Sequence, residues 1–213
     1  MSTHLYLVRH GQSEGNLTNS FLGHTDLPLT ELGHKQAEMA SRYLVTLSPT
    51  RIYASDLLRA YYTATPTAEK LALPIEKSEN LREIFAGKWE GMPFDAIDVE
   101  YAEDYAVWKT HIGLSRPTEG ESVAELMHRI EGELTRIVKE NENETIMVFL
   151  HATPIRAFTA KCLGLGTEKM ETLPWATNAS VSHFLYENGT FTLLEYSRDD
   201  YLGDISTALP TNV

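Results

Sequence analysis

The chain has 213 residues, 42% hydrophobic and 23% charged, which suits one globular domain able to bury its own core. A formal charge of −12 at pH 7 excludes general affinity for nucleic acid or anionic membrane, both of which need a basic face; a small anionic substrate then requires a local cluster of cations. The one cysteine, Cys162, excludes an internal disulfide and suits a reducing compartment.

In chain order, His4 to Val8 is a short apolar, β-prone run that ends in Arg9-His10-Gly11 and reads as a buried strand entering a loop. From Thr30, an N-cap, the apolar residues Leu32, Met39, Tyr43 and Leu47 recur at helical spacing until Pro49. Arg51 to Ala54 reads as a second strand. Ser55 or Asp56 is placed to cap a helix that Pro66 should kink or restart. Pro74 to Ser78 is a weak third strand. The stretch at about 92–118, with Phe94, Tyr101, Tyr105 and Trp108, is expected to form a helical cap whose aromatics serve packing rather than binding. Glu121 to Glu140 carries the pattern of a long amphipathic helix. Thr145 to Leu150 follows as a central strand closed by His151, and a further helix begins near Thr153-Pro154. Val181 to Tyr186 and Phe191 to Tyr196, joined by Asn188-Gly189, predict a hairpin.

Alternating strands and helices imply an α/β three-layer sandwich. Its central sheet should be mostly parallel with helices on both faces, and the late hairpin should add antiparallel strands at an edge. No repeat or linker divides the chain, so residues 1–213 are expected to form one domain with a cap insertion at about 92–118 and a loose tail after Asp204. No apolar run is long enough to span a bilayer and no basic, apolar leader opens the chain, which predicts a cytoplasmic protein. Four Asn-x-Ser/Thr triplets, from Asn16, Asn143, Asn178 and Asn188, then carry no weight. The edge hairpin offers a surface for a homodimer.

His10 and His151 each close a strand, and in an open α/β sheet ligands bind beyond the carboxyl ends of strands, so the two could share a site. A histidine in that position is usually structural when alone. Around His10, however, the run from Arg9 to Asn16 supplies a cation, a nucleophile, small residues that let backbone approach closely, and polar side chains. Phosphoryl transfer needs that mixture, because the transferring group spreads its charge over three oxygens and is stabilised by positioned cations around an in-line nucleophile. The eight histidines show no His-Glu-x-x-His or comparable cluster, and neither a P-loop nor a dinucleotide fingerprint occurs, so neither a metal nor another cofactor is expected.

The run Arg9-His10-Gly11-Gln12-Ser13-Glu14-Gly15-Asn16 closely resembles the Arg-His-Gly-x-Ser/Thr-x-x-Asn signature of the histidine phosphatase superfamily, the phosphoglycerate mutase-like family. The likeness continues through Phe21 to Asp26, Pro28-Leu29-Thr30, Gly33, Ser55-Asp56-Leu57, Arg59-Ala60, Leu81 to Ile84, Gly87, Trp89-Glu90-Gly91, Gly120-Glu121-Ser122 and Val148 to His151. The resemblance implies a phosphomonoester hydrolase acting on a small phosphorylated metabolite through a phosphohistidine, of the histidine acid phosphatase type. It assigns His10 as nucleophile, Arg9 and Arg59 as phosphate clamps, His151 as a further phosphate donor, and Glu83 as the acid that protonates the leaving oxygen. Ser13, Asn16, Leu22, Gly23 and Ala152 are expected at the substrate. Flanking arginines should keep His10 neutral, and Glu83 should shift toward its acid form beside a phosphate.

Two positions depart from the family pattern. Ala152 stands where relatives commonly carry glycine, and Leu22 is apolar where several relatives are polar, which points to substrates with an apolar part. The rivals are a phosphoglycerate mutase and a non-catalytic phosphate-binding protein. The chain is short for a mutase, and Ile84 to Gly91 resembles the phosphatase branch; a binding protein would not need the full set of reactive groups.

Overall fold

The computed structural model describes residues 2–207. The elements run β1 (Thr3–Arg9), α1 (Glu14–Leu17), α2 (Glu31–Leu44), β2 (Arg51–Ser55), α3 (Leu58–Leu71), β3 (Ile75–Ser78), α4 (Phe94–Glu100), α5 (Ala102–Thr110), α6 (Val123–Glu140), β4 (Thr145–Leu150), α7 (Ala152–Cys162), β5 (Val181–Glu187) and β6 (Thr190–Arg198). The six strands form one sheet in the order β3-β2-β4-β1-β5-β6. Pairing is parallel among β3, β2, β4 and β1 and antiparallel for β1-β5 and β5-β6. The expected three-layer α/β sandwich, with an antiparallel edge hairpin, is the observed fold.

The continuous apolar character of β1 and β4 follows from burial on both faces. Leu5 and Leu7 of β1, with Ile146, Val148 and Leu150 of β4, pack into the core shared with Leu126, Ile130, Leu134 and Ile137 of α6 and Phe158 of α7. Tyr6 and Val8, with Met147 and Phe149, point the other way, onto Ala40 and Leu44 of α2 and Ala64 and Ala68 of α3. Alternation along a strand thus builds two cores from one apolar run. A buried side chain of this kind contributes about 1.5–3 kcal/mol.

Helix starts follow local chemistry at α2, where the Thr30 hydroxyl accepts from the Gly33 amide at 3.0 Å, and at α6, where Ser122 and Glu125 form a reciprocal capping box. At α3 the expectation fails. Neither Ser55 nor Asp56 caps that helix: the Leu58 amide donates to Asp26, 32 residues earlier, at 2.7 Å, while Asp56 pairs with Arg82 and the Ser55 hydroxyl meets His151. Nor does Pro66 break α3, which runs unbroken across it. The carbonyl that the proline leaves without its helical donor belongs to Tyr62, a residue of the exposed face of the helix. In the hairpin both turn residues, Asn188 and Gly189, take positive φ, as a two-residue primed turn requires.

Phe94–Glu100 and Ala102–Thr110 of the 92–118 stretch are helical. The tail expected to be loose after Asp204 is anchored as far as it is described: the Ile205 carbonyl accepts from Gln36 and the Thr207 hydroxyl donates to Asn178. Residues 208–213 lie outside the described residues. Among the described residues no helix is long and apolar enough to cross a membrane.

Candidate active site

The parallel register of β1 on β4 sets Arg9 beside Leu150, so the loops after both strands open at the same place. The His10 amide donates to the Leu150 carbonyl at 3.0 Å, and the imidazoles of His10 and His151 lie 5.3 Å apart between centroids. A strand order in which two sequence-distant strands are neighbours thereby turns two histidines, 141 positions apart in the chain, into one constellation.

His10 is held from three sides. Its carbonyl accepts from the Ala179 amide and the Asn178 side-chain amide, and its Nδ1 lies 2.7 Å from the Gly11 carbonyl. A carbonyl only accepts, so Nδ1 carries the proton and Nε2 keeps its lone pair. Burial first, then the cations Arg59 and Arg9, push the His10 pKa well below 6.5 and keep the ring neutral. The arginines contribute as the sequence predicts, and burial is the larger cause. Close backbone contact is also built in. A Cβ on Gly11 would meet the Gly33 carbonyl oxygen at 2.6 Å, and one on Gly33 the Gln12 carbonyl oxygen at 2.0 Å. The first turn of α2 can therefore rest against the loop after β1 only with glycine at both places.

Arg59, on the first turn of α3, is almost completely buried. Its guanidinium donates to the carbonyls of Thr25 (2.9 Å), Gly23 (2.8 Å) and, more weakly, Leu22 (3.4 Å). That loop is itself gathered by the Glu90 carboxylate, which accepts from the amides of His24 and Thr25 at 2.8 Å each and from the Thr25 hydroxyl at 2.6 Å. Arg9 donates to the Ala176 carbonyl at 2.5 Å. Burial brings both guanidinium pKa values down to about 10, with the Glu83 charge opposing the fall, so both remain cations at neutral pH.

Glu83 is buried, and burial raises its pKa even without a phosphate nearby. Its oxygens accept from the amides of Ile84 (2.8 Å) and Thr153 (3.2 Å), which limit that rise and fix the carboxyl at the start of α7. His151 is fully buried, its Nε2 is 2.9 Å from the Ser55 hydroxyl, and burial and Arg59 hold its pKa well below 6.5.

These groups share a pocket of about 660 Å³, its open mouth included. Of the residues singled out from the sequence, Arg9, His10, Ser13, Asn16, Leu22, Arg59, Glu83 and Ala152 line it. His151 and Gly23 do not line it; a Cβ on Gly23 would meet Glu90 Oε1 at 2.3 Å and the Ile84 carbonyl at 2.6 Å. Gly23 reaches the site through its carbonyl on Arg59. Phe94 and Trp108, expected only to pack, are core residues that also form pocket wall, with Phe21 and Trp175. Among the described residues no group of three or more His, Cys, Asp or Glu side chains gathers as a metal-ligand set.

The sequence model of the histidine phosphatase superfamily (branch 1) matches residues 5–199. The chain belongs to this superfamily. It is 32% identical to phosphoserine phosphatase 1 of Hydrogenobacter thermophilus over 94% of both chains. It is 31% identical to glucosyl-3-phosphoglycerate phosphatase of Mycolicibacterium vanbaalenii, over 83% of this chain and 81% of that one. Among solved structures, Bacillus stearothermophilus YhfR superposes with a TM-score of 0.90 at 28% identity, covering 94% of this chain and 99% of that one.

Within this histidine phosphatase, several residues at the site have no role assigned by the sequence pattern. Thr153 holds Glu83, Ser55 meets His151, and Asn178 braces the His10 carbonyl and reaches Asn16 at 3.3 Å. The first two adjoin recognisable motifs and could have been suspected from position. Asn178 and Trp175 lie in an irregular segment and could not.

Proposed function

We propose that the chain is a metal-independent phosphomonoester hydrolase for small phosphorylated metabolites that passes the phosphoryl group through His10. The observation that carries this reading is the Nδ1 contact to Gly11, which leaves Nε2 as a free base in a pocket lined by two buried arginines and a buried carboxyl. Phosphatase relatives of nearly full length support hydrolysis over transfer to a second site on the product.

In the first step Nε2 attacks phosphorus, the ester P–O bond breaks, and its electron pair leaves on the alcohol oxygen, which takes the Glu83 proton. Arg9 and Arg59 hold the phosphoryl oxygens through the transition state, and His151, whose buried Nδ1 has no hydrogen-bond partner among the described residues, adds a further donor. In the second step water attacks the phosphohistidine and gives its proton to the Glu83 carboxylate. The N–P bond breaks, its pair returns to the imidazole, and orthophosphate leaves. Helices α4 and α5, in the 92–118 stretch, cap the pocket over the leaving group.

Phosphate release from p-nitrophenyl phosphate should persist in EDTA, and rapid quenching should trap an acid-labile phosphoryl label on His10. His10→Ala should lose the label and about 10³-fold or more in turnover. Unchanged turnover in that variant refutes the mechanism. Phosphoryl transfer to a phosphoglycerate acceptor at a rate above hydrolysis would instead favour a mutase.

A further inference from the structure

The ionisable side chains that line the pocket, among the described residues, are Arg9, His10, Arg59 and Glu83, and all four belong to the phosphoryl machinery. The rest of the lining holds no cation that could bind a carboxylate or second phosphate on the leaving group; Asn19 and Ser20 are its polar members beyond the phosphate cluster, and both are neutral. The apolar remainder is mostly aromatic. Phe21 meets Trp108 edge-on at 4.9 Å and Phe94 at 5.8 Å, and Trp108 lies nearly parallel to Trp175 at 6.5 Å between centroids.

This wall is fixed in place. Trp89, fully buried, backs both Phe21 and Trp108, and the Arg156 guanidinium stacks on Trp175 at 4.3 Å. Arg156 thereby stabilises the ring, and its own charge does not line the pocket. The Trp108 indole N–H is buried in the wall with no hydrogen-bond partner. Leu22, packed tightly against Gly15, adds aliphatic surface.

We propose that the preferred substrates are phosphomonoesters whose alcohol or phenol part is apolar and ring-bearing, seated on the wall of Phe21, Phe94, Trp108 and Trp175 beside Leu22, and that carboxylate-bearing phosphometabolites are poor substrates. The proposal rests on the phosphohydrolase reading and specifies its leaving group. Rigid aromatic surface binds a planar ring with little ordering cost, whereas the carboxylate of an amino acid or glycerate part would lose hydration there without gaining a cationic partner.

Kinetics with benzyl phosphate, phosphoserine and 3-phosphoglycerate test this, because all three release aliphatic alcohols and differ chiefly in what the wall must hold. Benzyl phosphate should lead in kcat/KM by about tenfold or more, mainly through KM. Benzylphosphonate should inhibit about tenfold more tightly than 3-phosphonopropionate, a readout independent of turnover. Trp175→Ala and Leu22→Gln, which spare the deepest core, should each shrink the ratio of kcat/KM for benzyl phosphate to that for phosphoserine, and Trp175→Phe should retain it. Equal or better turnover of phosphoserine or 3-phosphoglycerate overturns the aromatic preference and leaves the phosphatase reading standing. Release from none of the three, nor from p-nitrophenyl phosphate, overturns both.

Discussion

Glu90 does not line the pocket, yet Glu90→Gln should damage both stability and catalysis. Its Oε1 accepts from the His24 and Ala86 amides at 2.8 and 2.9 Å, and its Oε2 from the Thr25 amide and hydroxyl at 2.8 and 2.6 Å. A glutamine fills the same space, but whichever way its amide turns, the NH₂ faces two of those donors. Hydrogen bonds to a charged acceptor contribute about 1.5–3 kcal/mol each, so losing two, with some relaxation, costs about 3 kcal/mol. At a slope of about 2 kcal/mol per molar urea that moves the midpoint by roughly 1.5 M. The same carboxylate gathers the 22–25 loop whose carbonyls hold Arg59, so kcat/KM should fall by about 10- to 100-fold as the guanidinium loses its position. Hydrogen bonding holds the Glu90 pKa below the usual carboxylate range in spite of burial. Its contribution is therefore present above the unfolded pKa and lost as pH falls through the folded one. The urea midpoints of wild type and variant should converge on acidification below about pH 4.3. A variant with the wild-type midpoint at pH 7 and wild-type kcat/KM refutes the linkage from Glu90 through the loop to Arg59.

Two further outcomes follow from the groups at the site. Glu83→Gln should reduce turnover of alkyl phosphates by about 10²- to 10⁴-fold and that of p-nitrophenyl phosphate much less, since nitrophenolate leaves without a proton; equal losses on both remove the acid role from Glu83. His10 and His151 both have pKa values held well below 6.5, so the unfolded chain binds more protons than the folded one as pH falls through that value. Stability should be full above pH 6.5 and decline below it, each group contributing at most about 1.4 kcal/mol per pH unit. Urea midpoints at pH 7 and pH 5.5 measure this, and a flat response would show that the two rings are not held neutral by the fold.

What the sequence disclosed is what local pattern encodes. The apolar runs ending at His10 and His151 mark central strands because both faces of β1 and β4 are covered, and the Asn188-Gly189 pair marks the hairpin because both residues must take positive φ. Contacts that depend on which strand lies beside which were illegible. Asp26 replaces Ser55 or Asp56 at the start of α3 only because the 22–26 loop folds over that helix, and no periodicity reports such a meeting. The family resemblance places Gly23 at the substrate, whereas its missing Cβ makes room for Glu90 and Ile84. Trp108 carried an apolar signal that burial alone explains; its place in the pocket wall depends on Trp175, from a segment without regular structure.

The arrangement of charge at the site explains why so few residues suffice for the chemistry. Two guanidinium groups are buried and held by carbonyls, so their charge stays in place without a carboxylate neutralising either one by direct pairing. Direct salt bridges would have occupied the donors and cancelled the field. The acidic group of the pocket lining, Glu83, is itself driven toward its neutral form by burial, so the pocket keeps excess positive charge in a medium that screens it weakly. That field favours a phosphoryl dianion and keeps the His10 imidazole unprotonated, which are the two conditions nucleophilic attack requires. In the proposed mechanism burial thus does three jobs with one cause: it strengthens the clamp, frees the nucleophile and arms the acid. The cost is borne by the frame of backbone carbonyls and by Glu90, which is why residues that never meet the substrate should matter nearly as much as those that do.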